Sequence, residues 1–206
     1  PEDRPGLVDG GKMEKLLYPD QMFIADSAHF YPAEIAIQHR FKNDLHVHFR
    51  AIKPSDEDQM RRLFYRFSDK AIYYRYFSPI KSMPHAKMQA YVNINYQDVL
   101  SVVGLVGEPG QQTLIAEARI AKYPDKPFVD IAFVVDEEYQ GHGIATFLYQ
   151  MLARLAKERG AVTMTADVLS SNRTMLKVFE KGIFPVTAKL EGGAYALSID
   201  LSRTTR

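Results

Sequence analysis

Hydrophobic and polar residues change their spacing several times along the chain of 206 residues. Residues 45–51 alternate apolar and polar side chains, which predicts a strand with one buried face. From residue 54 to about residue 96, apolar side chains recur at helical spacing, interrupted by Pro79 and Pro84. This stretch therefore predicts one regular helix followed by a more broken helical region.

The middle of the chain changes to short apolar segments that are separated by turn residues. Residues 99–106, 113–121 and 128–135 are short enough for strands, and the tight turns between them predict an antiparallel meander. Beyond the meander, the spacing predicts a helix, a strand, a second helix and two more strands, over residues 144–159, 162–168, 171–182, 185–190 and 195–201. This order is typical of an α+β fold with a mixed central sheet of about seven strands, flanked by about four helices.

The first 44 residues differ from the rest in charge and composition. Residues 1–44 contain 8 acidic and 5 basic side chains, a net charge of −3, whereas residues 45–206 contain 17 acidic and 21 basic ones, a net charge of +4. The first 15 residues are rich in Gly, Pro and charge, which is typical of a mobile leader. We predict that residues 1–44 are an N-terminal extension or linker, or the tail of a preceding domain, and that residues 45–206 form one domain. The first residue is Pro1 rather than methionine, which favours a trimmed chain or a fragment.

The composition excludes several classes of function. An apolar fraction of 46% and a charged fraction of 25% are those of a globular domain, and a net charge of +1 argues against a nucleic-acid partner. No apolar run reaches the 18 residues of a membrane span, and no secretory leader is visible, so no membrane partner is expected. The absence of cysteine excludes disulfides, thiolate zinc sites and cysteine nucleophiles, and we expect a cytoplasmic protein. His46 and His48 share a strand face without an obvious third ligand, so no metal site is expected.

The strongest chemical signal is the run Gln140–Ala145, which lies between the last strand of the meander and the long helix. Its two glycines, Gly141 and Gly143, allow a tight turn at the start of the helix. The free N–H groups of the first helical turn and the helix dipole then form an anion site that can hold a pyrophosphate. The run is neither a Walker loop nor a dinucleotide fingerprint, since it lacks the lysine of the first and the third glycine of the second.

This run and the apolar strand before it resemble motif A of the GNAT superfamily of N-acetyltransferases. The pattern of that motif is Gln/Arg-x-x-Gly-x-Gly/Ala, and Gln140, Gly143 and Ala145 occupy its three fixed positions. The segment Asn172–Phe184 resembles motif B of the same family, and the predicted order of elements agrees as well. The resemblance covers roughly residues 45–201.

Within this superfamily the chain is most similar to Pat-type bacterial protein lysine acetyltransferases and to acetyltransferase domains fused to acyl-CoA enzymes. The likeness is carried by Phe49–Asp56, Tyr73–Phe77 and Val168–Leu176. It implies the GNAT fold and an enzyme that moves an acetyl group from acetyl-CoA to a primary amine, with a protein lysine as the expected acceptor. A fused or partner acyl-CoA enzyme is also expected. Two alternatives stay open, a small-molecule amine acceptor and a non-catalytic, acyl-CoA-sensing role in a larger enzyme.

The resemblance also implies which residues contact coenzyme A. The backbone of the glycine loop is expected to hold the pyrophosphate, and the last strand of the meander to splay from its neighbour and pair with the pantetheine arm. Asn172 is expected near the pantetheine, and Phe179 beside the thioester. The expected contacts are Phe133, Val134, Val135, Gln140, Gly141, His142, Gly143, Ile144, Ala145, Thr146, Asn172 and Phe179.

Two acidic residues are candidates for the general base. An amine must be neutral to attack a thioester, and a lysine pKa near 10.4 leaves about 0.1% or less in that form at pH 7. In the family a Glu often begins the fourth strand; here Asp130 takes that place, and a relaying water is expected because Asp is one methylene shorter. Glu117 in the preceding strand is the competing base. The oxyanion contact is assigned to the backbone N–H of Val134, and direct attack in a ternary complex is the simplest route for a chain without cysteine.

The chain departs from the family pattern at two positions. Phe179 takes the place of a Tyr that protonates the departing thiolate in many members, and Gly182 lies one place early. A thiolate with a pKa near 8.5 does not strictly need an acid, so we still expect activity.

Overall fold

An eight-stranded sheet forms the framework of the protein. The structure is a computed structural model and describes residues 31–124 and 126–205. Its strands lie in the order β1-β2-β3-β4-β5-β6-β8-β7, and β5 and β6 form the one parallel pair among them. The strands of this described part are β1 (Ala36–Arg40), β2 (His46–Ala51), β3 (Val99–Val106), β4 (Thr113–Lys122), β5 (Phe128–Val135), β6 (Thr163–Leu169), β7 (Val186–Glu191) and β8 (Ala194–Asp200). The predicted α+β fold with a mixed sheet is confirmed.

Five α-helices of the described chain connect these strands. They are α1 (Glu57–Arg66), α2 (Asp69–Tyr76), α3 (His85–Val92), α4 (Ile144–Glu158) and α5 (Arg173–Glu180). The broken helical region of the sequence divides into α2 and α3, because α2 ends at Phe77 in a left-handed conformation with φ 54° and Pro84 caps α3. The long helix α4 connects β5 to β6, and α5 connects β6 to β7.

The sequence pattern missed the strand β1. It pairs antiparallel with β2 over its whole length, so the sheet already begins inside the segment that the sequence assigns to the extension. Ile37 is its one half-buried residue, and without an apolar face an edge strand gives no alternating signal. The expected mobile leader, residues 1–15, lies outside the described residues, and the division at residue 45 stays a prediction.

The sheet is covered on both faces. Glu117 in β4 accepts a hydrogen bond from Tyr91 of α3, so its side chain points to the face that carries α1–α3, which we call the front face. Phe133 in β5 contacts Phe179 of α5 and points to the back face, which carries α4 and α5. Neighbouring residues of a strand point to opposite faces, so Val134, which pairs with Glu117, belongs to the front face.

Candidate active site

Strands β5 and β6 separate part of the way along and leave a V-shaped cleft between them. Their parallel pairing ends at Asp130↔Thr165, whereas β5 continues to Val135 and β6 to Leu169. Backbone N–H and C=O groups that leave a ladder need another hydrogen-bonding partner. The cleft therefore offers a strand edge to which an extended ligand can bind.

The backbone groups of β5 point alternately to β4 and to the cleft. The N–H of Asp136 donates to the carbonyl of Ile115 at 2.8 Å, on the β4 side. Because the direction alternates along a strand, Val134 also turns its N–H towards β4, whereas Phe133 and Val135 turn theirs towards the cleft. The oxyanion contact that the sequence assigns to the N–H of Val134 does not fit this geometry, and the N–H groups of Phe133 and Val135 are the donors that face the cleft.

The glycine loop follows β5 at the wide end of the cleft. Gly141 has φ 81° and Gly143 has φ 99°, which are angles that residues with a side chain rarely adopt. Gly143 is the N-cap of α4, and its carbonyl accepts from the N–H of Phe147 at 3.0 Å. The N–H groups of Ile144–Thr146 precede this first helical bond and lie at the positive end of the helix dipole. The loop therefore has the geometry of an anion site.

The side chains of the loop bond back to the protein. The Nε2 of Gln140 donates to the carbonyl of Val135 at 3.1 Å, which ties the loop to the end of β5. The Nδ1 of His142 lies 3.2 Å from the carbonyl of Tyr139 and 3.1 Å from that of Gln140. These contacts hold the loop in place from within.

Glu117 is fully buried beneath α2 and α3 and accepts four hydrogen bonds. Its Oε1 accepts from the hydroxyl of Ser101 at 2.7 Å and from Nε of Arg119 at 2.9 Å. Its Oε2 accepts from the hydroxyl of Tyr91 at 2.9 Å and from Nη2 of Arg75 at 3.4 Å. Burial acts to raise the pKa of Glu117, but the two guanidinium groups and the hydrogen bonds outweigh it and lower that pKa below its ordinary value. A lowered pKa and four hydrogen-bond donors make the carboxylate of Glu117 a weaker proton acceptor than a free one.

Asp130 lies at the vertex of the cleft, where the parallel pairing of β5 and β6 ends. Its side chain shares the front face with Val134, is fully buried and accepts a hydrogen bond from the hydroxyl of Thr165. With a rise of about 3.3 Å per residue, it lies about 10 Å along the strand from the cleft-facing N–H of Phe133. The structure therefore places Asp130 beside the cleft and Glu117 inside a closed network.

The two predicted site residues of motif B, Asn172 and Phe179, both make contacts within the protein. The Oδ1 of Asn172 accepts from the N–H of Met175 at 3.2 Å and caps α5. Phe179 is buried, with its ring centroid 5.8 Å from that of Phe133 and 5.2 Å from that of Tyr149. Phe179 therefore lines the back of the cleft, and Asn172 lies near its open end.

Helix α2 crosses the front of the cleft, which the sequence did not reveal. Both the N–H and the hydroxyl of Ser68 donate to Glu137, which follows β5, at 2.8 and 2.9 Å. The hydroxyl of Tyr74 donates to the carbonyl of Ser171, which follows β6, at 3.1 Å. The helix is thus tied to both walls of the cleft by contacts between residues 69 and 97 positions apart, which leave no periodic signal in a single sequence.

Neither a metal-binding cluster nor a membrane-spanning helix is present among the residues that the structure describes. No group of three or more His, Asp or Glu side chains within residues 31–124 and 126–205 is arranged to hold a metal ion. In the same ranges, no helix combines the length and the apolar character that crossing a membrane requires.

The pattern of the acetyltransferase (GNAT) family matches residues 58–183 of this chain. That match includes the cleft, the glycine loop and α5, and it covers more than half of the sequence. The chain therefore belongs to the GNAT family of acetyltransferases and depends on acetyl-CoA for its reaction.

Relatives of known sequence are also named as acetyltransferases. The chain is 26% identical to acetyltransferase PA5475 of Pseudomonas aeruginosa over 130 residues, which are 63% of this chain and 70% of that protein. It is 27% identical to acetyltransferase Pat of Mycolicibacterium smegmatis over 135 residues, which are 65% of this chain and 40% of that protein. The match thus spans well under half the length of the Pat relative.

Solved structures share the fold. The GNAT domain of S. lividans PAT superposes with a TM-score of 0.73 at 24% identity, and the match covers 82% of this chain and 99% of that domain. The acetyltransferase yncA from Salmonella typhimurium, which was solved with its cofactor acetyl-CoA, superposes with a TM-score of 0.58 at 16% identity over 76% of this chain and 94% of that one. At these identities the likeness shows the GNAT fold.

Proposed function

We propose that this acetyltransferase transfers the acetyl group of acetyl-CoA directly to the ε-amine of a protein lysine. The observation that carries the proposal is the splayed strand edge of β5, which runs into the glycine loop at the start of α4. Coenzyme A has the matching shape, since its pyrophosphate is followed by a pantetheine arm with two amide groups. The name of the Pat relative and the motifs shared with Pat-type enzymes support the choice of lysine as acceptor.

The cleft and the loop divide the binding of coenzyme A between them. The backbone of Gln140–Thr146 holds the pyrophosphate, and the cleft-facing groups of Phe133 and Val135 pair with the pantetheine. The N–H of Phe133 or of Val135 then meets the oxyanion, in place of Val134, whose side chain lies on the front face. Phe179 flanks the thioester from the back face. Asn172 lies near the pantetheine at the open end of the cleft, where it caps α5.

Asp130 is the proposed base of the reaction. A water-relayed proton transfer to its carboxylate leaves the amine neutral, and the amine nitrogen then bonds to the thioester carbon. The nitrogen becomes positively charged on attack. The carbon–sulfur bond then breaks, its electron pair leaves with sulfur, and the nitrogen loses its extra proton to water, which gives the amide. A thiolate with a pKa near 8.5 leaves without an acid, in keeping with Phe179, which has no hydroxyl group to donate. Glu117 is retained as the competing base only if its closed network opens during catalysis.

Three finer points belong to the same proposal. The chain matches 40% of the Pat relative, so a fused or partner acyl-CoA enzyme is proposed from resemblance alone. A reducing, cytoplasmic setting is proposed because the sequence has no cysteine. The alternative acceptor is a small-molecule amine.

A non-catalytic, acyl-CoA-sensing domain is the second candidate function. The specific observation in its favour is Phe179, a buried phenyl ring where many family members have a tyrosine. Such a domain would bind acetyl-CoA and release no thiol. Turnover therefore separates this candidate from the first.

The test measures free thiol release from acetyl-CoA with lysine-containing proteins and, separately, with small amines. Acetylated lysine is identified by mass spectrometry, and acetyl-CoA binding is followed by thermal stabilisation. We expect acetylation of protein lysines. If acetyl-CoA raises the melting temperature but no amine is acetylated, the protein is a sensor and the proposal is wrong.

A further inference from the structure

A cavity of about 310 Å³ lies at the end of the sheet opposite to the glycine loop. It lies between the start of β3 and β5, the end of β4 and the last turn of α4, and its volume is at the lower end of small-molecule sites. We call it the basal cavity and define it by Asp98, Lys122, Lys126, Phe128, Val129 and Arg159. No part of the proposed acetyl-CoA cleft lines it.

The inner wall of the basal cavity is apolar. Leu100, Ile120, Val129 and Ala156 line it, and each of these side chains is buried against the sheet or α4. Phe128 adds a half-buried aromatic ring at the side. Such a wall favours a ligand with an apolar body, because burying each Å² of apolar surface contributes about 25 cal/mol.

The outer edge of the basal cavity carries a surplus of positive charge. Lys122, Lys126 and Arg159 line it, against one acidic residue, Asp98. Asp98 accepts a hydrogen bond from the amide of Asn95 at 2.9 Å. Among the residues that the structure describes, no carboxylate lies within 4.0 Å of a charged nitrogen of these three cations. The Nη1 of Arg159 donates to the carbonyl of Tyr96 at 2.7 Å, and the Nζ of Lys126 lies 5.2 and 5.3 Å from the ring centroids of Tyr123 and Phe128. These partners are uncharged, so they leave the positive charge at this edge in place.

The remaining charges that the described residues place around the cavity do not cancel this surplus. The C-terminal end of α4 contributes about half a negative charge, and Arg159 lies at that end. The last carbonyls of α4 already accept from the N–H groups of Arg159, Gly160 and Ala161 at 2.9–3.2 Å. Glu34 and Glu158 act on Arg159 but do not line the cavity.

We propose that the basal cavity is a second ligand site, for a small organic carboxylate with an aromatic or branched apolar body. The carboxylate binds between Lys122 and Lys126, and the apolar body lies on the wall beneath. A ligand in this place contacts Val129, the residue next to Asp130, and the last turn of the helix whose first turn forms the anion site. The site is independent of the function proposed above and takes a different ligand from acetyl-CoA.

The test titrates the full chain with phenylacetate and, as a neutral match, with phenylacetamide, by isothermal calorimetry and NMR. We expect phenylacetate to bind at least tenfold more tightly than the amide, and to bind equally well when acetyl-CoA is saturating. The double variant Lys122→Glu/Lys126→Glu should weaken phenylacetate at least tenfold and leave the affinity for acetyl-CoA unchanged. The matched control is Lys189→Glu, a lysine of β7 that pairs with Glu191 and does not line the cavity.

Three results would overturn the proposal. The first is no binding of phenylacetate, or binding no tighter than that of the amide. The second is unchanged affinity in the double variant. The third is displacement of phenylacetate by acetyl-CoA, which would place the probe in the cleft. If the double variant unfolds, Lys122→Gln/Lys126→Gln replaces it, because this variant removes the two positive charges without adding negative ones. It must also weaken the binding of phenylacetate.

Discussion

Two buried carboxylates on the front face of the sheet lie in different surroundings. Glu117 accepts four hydrogen bonds, two of them from guanidinium groups, and is closed in by α2 and α3. Asp130 lies where β5 and β6 part, next to a strand edge that has left its ladder. The two side chains are equally buried, but different parts of the protein surround them.

The fully hydrogen-bonded carboxylate of Glu117 stabilises the structure, whereas we propose that Asp130, at the edge of the cleft, takes part in the chemistry. A hydrogen bond to a charged group contributes about 1.5–3 kcal/mol, so the network of Glu117 binds α2 and α3 firmly to the sheet. The same network lowers the pKa of Glu117, which makes its carboxylate a weaker base. Four substitutions test the roles of these two carboxylates and of the cleft beside Asp130.

Glu117→Gln should have the largest effect, on stability. It leaves the buried guanidinium groups of Arg75 and Arg119 without their counter-charge, and breaking a buried ion pair in this way costs about 3–5 kcal/mol. The free energy of unfolding in urea measures the loss. Asp130→Asn is the matched control, since it makes the same change at an equally buried site, and it should cost clearly less. An equal loss in both variants would contradict the contrast.

The same carboxylate should make stability depend on pH. Its folded pKa is lowered, so its contribution is complete above the unfolded pKa of about 4.3 and is lost as the pH falls through the folded value. The stability gap between the wild type and Glu117→Gln should therefore be constant near neutral pH and shrink below about pH 4. A gap that widens on acidification would mean that Glu117 has a raised pKa.

Asp130→Asn should act on turnover instead. If Asp130 accepts the proton of the amine through a water, replacing its carboxylate with an amide should lower kcat about 100-fold, which is the lower end of the range for general bases. The affinity for acetyl-CoA should stay unchanged. Steady-state thiol release and calorimetry measure the two quantities. Should Glu117→Gln, assayed where it is still folded, lose the larger share of kcat, the base is Glu117.

Gly143→Val tests the anion site at the other end of β5. A side chain at φ 99° costs about 1–3 kcal/mol or forces the loop to move, so the affinity for coenzyme A should fall about 10- to 100-fold. Gly110→Val is the control, because Gly110 has φ 87° and open space around it in the turn between β3 and β4. It shares the strain but should not change the affinity. Equal losses in both would make the effect one of general instability.

Tyr74→Phe should have the smallest effect. It removes the hydrogen bond to the carbonyl of Ser171 and so loosens α2 over the front of the cleft. We expect a change of a few-fold in the KM for the amine acceptor and none in the KM for acetyl-CoA, which enters beside the loop. The exposed Tyr73→Phe, one residue earlier, is the control. If only the KM for acetyl-CoA changes, α2 contacts acetyl-CoA rather than the amine acceptor, and the prediction is wrong.

Sequence reasoning predicted most of the elements because each has a local cause. The meander followed from short apolar runs between turns, and α4 from its apolar stripe after a glycine pair. The strand β1 was missed because an edge strand with one half-buried residue shows no alternation. The N–H of Val134, which the sequence assigned to the oxyanion, points to β4 rather than to the cleft. The direction of a backbone N–H follows from how two strands pair, which the residues of one strand do not reveal.

The sequence by itself determined the family, the glycine loop and the short set of acidic candidates, because backbone conformation and motif spacing are local. Only the tertiary structure decided what those candidates can do. It closed Glu117 into a network whose donors come from β3, β4, α2 and α3, and it left Asp130 at the point where two strands part. The physical reason is that desolvation and hydrogen bonding, which set the pKa and the reach of a carboxylate, come from residues far away in the chain.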